Sequence, residues 1–156
     1  MKKLIPVIII AAVLVYFFFP SGDDPSEIEA VVKKTIAAGK KKDLDGVMDS
    51  FSRRYKDEYG LNYVVVKKIM KNVFSKYDSF DGDFFDLTAS IGKSEDGEKQ
   101  AVANFNIYIS GSKSEIPVAI LGTANSPENI TVTFRKSKLG GWKIVSVEGV
   151  EFEEGF

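Results

Sequence analysis

The run Phe85-Asp86-Leu87-Thr88-Ala89-Ser90-Ile91 and, after Asp96-Gly97, the run Ala101-Val102-Ala103-Asn104-Phe105-Asn106-Ile107-Tyr108-Ile109 decide the fold. Each alternates apolar and polar residues with a period of two, which predicts half-buried strands. Asp-Gly between them predicts a hairpin turn. On this reading Phe85, Leu87, Ala89 and Ile91 face inward from the first strand, and Ala101, Ala103, Phe105, Ile107 and Ile109 from the second. Downstream, Ile116 to Gly122 predicts a third strand that Pro117 restricts to an edge or a strand start. Ile130, Val132 and Phe134 mark the inward face of a fourth, and Trp142 to Gly149 predicts a fifth.

Upstream the period is helical. Asp24-Pro25-Ser26-Glu27 combines a capping residue, a first-turn proline and an acidic residue, and Ile28, Val31, Val32 and Ile36 follow at helical spacing toward Gly39. Asp43 caps a short helix whose face is Leu44, Val47, Met48 and Phe51, and a third helix is expected from about Asn62 to Tyr77. Helices first and hairpins after predict an α+β domain, three helices packed on one face of a curved antiparallel sheet.

Composition narrows the chemistry. The 156 residues contain no cysteine and no histidine, which excludes disulfides, thiolate nucleophiles and the commonest general base and transition-metal ligand. Asp78, Asp81, Asp83 and Asp86 do not fit a calcium loop, because Phe80 occupies a ligand position and Gly82 is out of register. Neither a metal nor a cofactor is expected. Without Lys2 and Lys3, 19 basic residues face 22 acidic ones, so no basic footprint for nucleic acid exists.

Met1-Lys2-Lys3 followed by the uncharged run Leu4 to Phe19 has the layout of a signal sequence or signal anchor. Sixteen residues at 1.5 Å each give a helix of roughly 24 Å, a marginal span. Cleavage after Ser21 or Gly22 would place Phe19 or Pro20 where a small residue belongs, which favours a retained anchor over secretion after cleavage. Lys2 and Lys3 on one side, with Asp23 and Asp24 on the other, predict a cytoplasmic N-terminus and an outward domain. The expected organisation is an anchor over 1–20, a linker over 21–24, a domain over 25–150 and an acidic tail over 151–156. This places the domain in the periplasm or an equivalent compartment, on a bacterial inner membrane.

Three local patterns carry a family resemblance: Lys42-Asp43-Leu44-Asp45-Gly46-Val47-Met48, then Phe51-Ser52-Arg53-Arg54-Tyr55-Lys56-Asp57, then the hairpin Ile130-Thr131-Val132-Thr133-Phe134 with Gly140-Gly141-Trp142-Lys143-Ile144-Val145. With the order of elements, they make the chain from Pro25 to Gly149 resemble the nuclear transport factor 2-like (SnoaL-like) superfamily, whose three helices close the concave side of a bent, cone-shaped sheet. The superfamily includes isomerases, dehydratases, ligand-binding proteins and structural subunits, so the fold does not choose a function.

The resemblance implies a cone lined here by Phe85, Leu87, Phe105, Ile107, Val132, Phe134 and Trp142. Enzymes of the superfamily carry an acid or base inside it. The expected inward faces hold no ionisable group, so a base would have to come from the helical layer, where Tyr55 and Asp57 are the candidate pair. The alternative is that the tyrosines pack while Asp57 and Glu58 are solvated. On the opposite face Asn104, Asn106 and Tyr108 fall together with Thr131 and Thr133; the resemblance implies that such a face often pairs with a second copy. These readings predict a binding or assembly module, for a small lipophilic ligand or another envelope protein, and leave an isomerase- or dehydratase-like enzyme as the alternative.

Overall fold

The computed structural model describes residues 24–139 and 141–150. The expected anchor, residues 21–23 of the linker and the expected tail lie outside the described residues. Among those described, no helix is long and apolar enough to cross a membrane.

Helix α1 (Asp24–Lys40) buries Ile28, Val32 and Ala38, with acidic residues in its first turn and Lys40 in its last, the polarity the helix dipole favours. Asp24, expected as the cap, is instead the first helical residue, and its carboxylate is turned to Lys99 and Lys136. Helix α2 (Leu44–Asp49) is capped as expected: the Asp43 carboxylate accepts from the Gly46 amide at 2.9 Å. The Asn62 side chain caps helix α3 (Tyr63–Lys76) by accepting from the Val64 and Val65 amides at 3.0 and 3.1 Å.

Five antiparallel strands follow: β1 (Ser79–Lys93), β2 (Lys99–Lys113), β3 (Ile116–Leu121), β4 (Glu128–Lys136) and β5 (Trp142–Glu148). The order across the sheet is β1-β2-β4-β5, and β3 pairs with β2 on the same edge as β4, beyond its end. Pro117 therefore sits on a strand with one neighbour, where its missing donor costs no ladder bond. The helices cover one face: Ile28, Val32, Met48, Tyr55 and Tyr63 join Ala101, Ala103, Phe105, Ile107, Ile130, Val132, Phe134, Trp142 and Ile144 in one buried core.

Two expectations about β1 are corrected. Asp81-Gly82-Asp83, which an alternating run beginning at Phe85 leaves outside the strand, lies within it. Gly82 is buried against β2, where a Cβ would stand 2.7 Å from the Tyr108 carbonyl oxygen, so the position needs glycine for close approach rather than for turning. The second correction concerns Phe85. A bulge between Phe85 and Thr88 sets Asp86 and Leu87 against the single residue Phe105, with Asp86 at φ 57°. One extra residue inverts the alternation, so Phe84 turns in and meets the Phe105 ring edge-on at 5.7 Å, while Phe85 is 39% exposed. Leu87, in the bulge, and Ala89, beyond it, pack on the core as expected.

The bulge makes adjacent phenylalanines energetically unequal. Phe84→Ala should cost about 2–4 kcal/mol and Phe85→Ala less than about 1 kcal/mol in urea denaturation. Equal costs, or the reverse order, would contradict the inverted register.

Candidate functional site

The inward rows of β2 and β4 are filled by buried Ala101, Ala103, Phe105, Ile107, Ile130, Val132 and Phe134, the last with no exposed surface. Trp142 closes one end. Its indole N–H donates to Glu27 Oε2 at 2.9 Å, and Lys136, whose ammonium lies 5.1 Å above the indole ring, pairs with the same carboxylate. This tie between the first turn of α1 and the start of β5 was not expected from the sequence; Glu27 read only as an N-terminal charge. Two open clefts of about 160 and 230 Å³ lie where α1 meets β1, around Lys33, Asp83 and Phe84.

The candidate pair Tyr55 and Asp57 is brought together. The Tyr55 hydroxyl donates to Asp57 Oδ2 at 3.2 Å, and Asp57 is buried, 8% exposed, which corrects the picture of a solvated carboxylate. Its burial has a local cause. Asp57 Oδ1 accepts from the Tyr59 amide at 3.0 Å and the Leu61 amide at 2.9 Å, while its own backbone bonds both ways across the loop, to Leu61 and Gly60. A carboxylate with such partners holds the loop into α3 shut. Tyr55 packs in the core against Phe51 at 5.4 Å between ring centres. Burial, and then the Asp57 charge, pushes its phenol well above the usual tyrosine range, so it is a poor base near neutral pH. Both carboxylate oxygens and the hydroxyl are engaged within the pair and its loop.

The outer sheet face carries the second expected cluster in enlarged form. Asn104 and Asn129 exchange amide bonds at 2.8 and 3.1 Å, Asn129 donates onward to Asn106 Oδ1 at 3.1 Å, and Asn104 donates to Thr131 Oγ1 at 3.2 Å. Asp86, on the bulge, accepts from Asn106 at 3.4 Å. Asn129 and Asp86 were missed, since only the cross-strand register sets them beside Asn104 and Asn106. Thr133 stands one row away, opposite Val102, which is 39% exposed, and Tyr108 lies beyond the belt opposite Asp83. Among the described residues no group of acidic side chains is placed to hold a metal.

The loop role of Asp57 is testable by stability. Asp57→Ala removes three accepted hydrogen bonds at a buried site and should cost about 2–3 kcal/mol, against about 1 kcal/mol for Tyr55→Phe. Because the folded phenol ionises above its unfolded value near 10, its contribution is complete below pH 10 and declines as pH rises beyond it, where the unfolded state ionises first. Urea midpoints should therefore fall more steeply above pH 10 in the parent than in Tyr55→Phe; parallel curves would contradict this.

The chain matches no protein-family model and no curated protein. Solved structures do resemble it. A nuclear transport factor 2-like protein with a cystatin-like fold from Novosphingobium aromaticivorans superposes with a TM-score of 0.63 at 14% identity, over 94% of this chain and 90% of that one. A scytalone dehydratase-like protein of the same organism gives 0.62 at 11%, over 82% and 88%. Pgp2 of Campylobacter jejuni, a helical cell shape determining protein, gives 0.58 at 13% over 76% of this chain, which spans 38% of Pgp2 and 41% of Bd1075 from Bdellovibrio bacteriovorus. At these identities the likeness shows the fold alone: three helices on a curved antiparallel sheet, the nuclear transport factor 2-like cone.

Proposed function

We propose that the chain is a non-catalytic assembly module, anchored in a bacterial inner membrane through residues 4–19, with its cone domain outside the cytoplasm. The observation that carries the non-catalytic reading is that both carboxylate oxygens of Asp57 already accept hydrogen bonds from the protein itself. Its Oδ1 accepts from two loop amides and its Oδ2 from Tyr55, so the one acid–phenol pair expected to do proton transfer holds a loop instead. The inward rows of β2 and β4, free of ionisable groups and closely packed, support the same reading. So do the clefts: about 160 and 230 Å³ is small beside the 300 to 1,000 Å³ typical of ligand pockets, which favours assembly over storage of a lipophilic molecule.

The surface that best suits assembly is the amide and threonine belt around Asn104, Asn106, Asn129 and Thr131, with exposed Val102 beside it. An outer sheet face of amides and threonines can be self-complementary and suits a second copy, or an envelope protein presenting a similar face. The anchor rests on Lys2, Lys3 and the uncharged run to Phe19. That Pgp2 is a cell shape determining protein is consistent with an envelope setting. The second reading, an isomerase- or dehydratase-like enzyme using Tyr55 and Asp57, draws on the dehydratase-like neighbour and would require Asp57 to exchange its loop amides for substrate.

Native mass spectrometry of the full chain in detergent separates these readings. The expected species is a dimer, reduced to monomer by Val102→Arg with an unchanged thermal melt. A parent that is monomeric and carries additional bound mass would replace assembly with ligand binding, and a dimer indifferent to Val102→Arg would remove the belt as its interface.

A further inference from the structure

The described domain has two ends, and residues 1–23 join it at one of them. Helix α1 runs antiparallel to β1: Asp24, at its start, pairs with Lys99 at the start of β2 and with Lys136 at the end of β4, whereas Lys40, at its finish, pairs with Asp81 near the start of β1. The first turn of α1 therefore sits beside the β1–β2 and β4–β5 hairpin tips. The β2–β3 turn, Ser114 and Glu115, lies at the opposite end.

This polarity fixes what the preceding residues can reach. Between Phe19 and Asp24 stand only Pro20 to Asp23, a reach of at most about 18 Å even when fully extended. Asp24 and Glu27 are tied to the sheet by Lys99, Lys136 and Trp142, so the first turn of α1 and the two hairpin tips beside it hold together as one end of the domain. A bilayer holding Leu4 to Phe19 would lie against this end. Three residues past Lys136, within about 10 Å of it along the chain, the β4–β5 tip presents Leu139. Leu139 is 100% exposed, and Lys138 beside it is exposed and has no ion-pair partner among the described residues. A lone exposed leucine is ordinary; one set next to an unpaired lysine, at the end from which a membrane segment departs, is placed as an interfacial contact.

We infer that the β4–β5 hairpin tip is a second membrane contact, Leu139 entering the headgroup boundary and Lys138 meeting lipid phosphates, so that the amide belt is held at a fixed orientation above the bilayer. The inference rests on the anchor reading given above. The leucine stem and the ammonium suit this boundary, where one group prefers the apolar side and the other stays hydrated.

The absence of cysteine makes the test direct, since one introduced thiol is a unique label. Full-length Leu139→Cys and Ser114→Cys, each carrying an environment-sensitive dye, are reconstituted into vesicles of phosphatidylcholine with a minority of phosphatidylglycerol. The expected result is co-flotation of both proteins with the vesicles. The dye at 139 should be blue-shifted and quenched several-fold more by brominated lipid than by aqueous iodide, with the opposite preference at 114. If both proteins float but the two positions are equally open to iodide, the hairpin contact is wrong and the anchor stands. If neither floats, the anchor reading fails and takes the inference with it.

Discussion

Strand β2 is paired along both edges, and most of the molecule follows from that requirement. Its left edge runs against β1 from Lys99 to Ser112, and its right edge against β4 as far as Ile107 and then against β3 from Ile109. A strand so placed has its backbone satisfied by its neighbours on both sides, and the row of side chains that the helices cover must then be apolar. Ala101, Ala103, Phe105 and Ile107 are buried for that reason. Curvature is then taken up by the neighbours. The extra residue of the β1 bulge lies in β1, and that of the β2–β3 irregularity lies in β3, while the β2–β4 register runs without a break. In a sheet that bends, outer strands travel further than the strand they flank, and a bulge supplies the added length.

The two outer edges are managed differently. The free edge of β5 is covered by the segment after α2: the Ile144 amide donates to Ser50, and Ser52 and Lys56 donate to Ile144 and Val145, all at 2.8 to 3.0 Å. That pairing sets Tyr55 on the core and brings Asp57 to the loop it closes. The outer edge of β1 has no partner strand among the described residues, and Asp81, Asp83 and Asp86, with the bulge at Asp86, oppose pairing with another chain there. Edge-to-edge pairing at β1 is thereby disfavoured.

What was legible in the sequence is what depends on near neighbours. The caps at Asp43 and Asn62 and the alternation of β2 involve residues a few positions apart, and these elements stand where the pattern puts them. Phe85 illustrates the opposite case. Its alternation with Leu87 and Ala89 is intact in the sequence, but Asp86 adopts a left-handed conformation that asparagine and aspartate tolerate and no spacing announces. Asp57 resembles any surface carboxylate until its partners, the Tyr59 and Leu61 amides, are folded around it. Asn129 and the Glu27–Trp142 bond depend on cross-strand register and on contact across 115 positions, and neither is encoded locally.

The distribution of charge follows the same logic and bears on function. A cone that performs proton transfer must hold a titratable group in an apolar interior, where desolvation shifts its pKa and where unsatisfied polar atoms are expensive. Here the Tyr55 phenol donates to Asp57, and Asp57 accepts from its own loop. Other ionisable side chains form ion pairs on exposed surfaces, such as Lys34 with Asp49 and Arg54 with Glu98, and several cluster where α1 begins. Such pairs contribute little stability in water, but at that end Asp24, Glu27, Lys99 and Lys136 join one helix to two hairpins and resist rotation between them. The charged groups thus define the faces and ends of the described domain, and its buried acid, Asp57, serves the loop into α3.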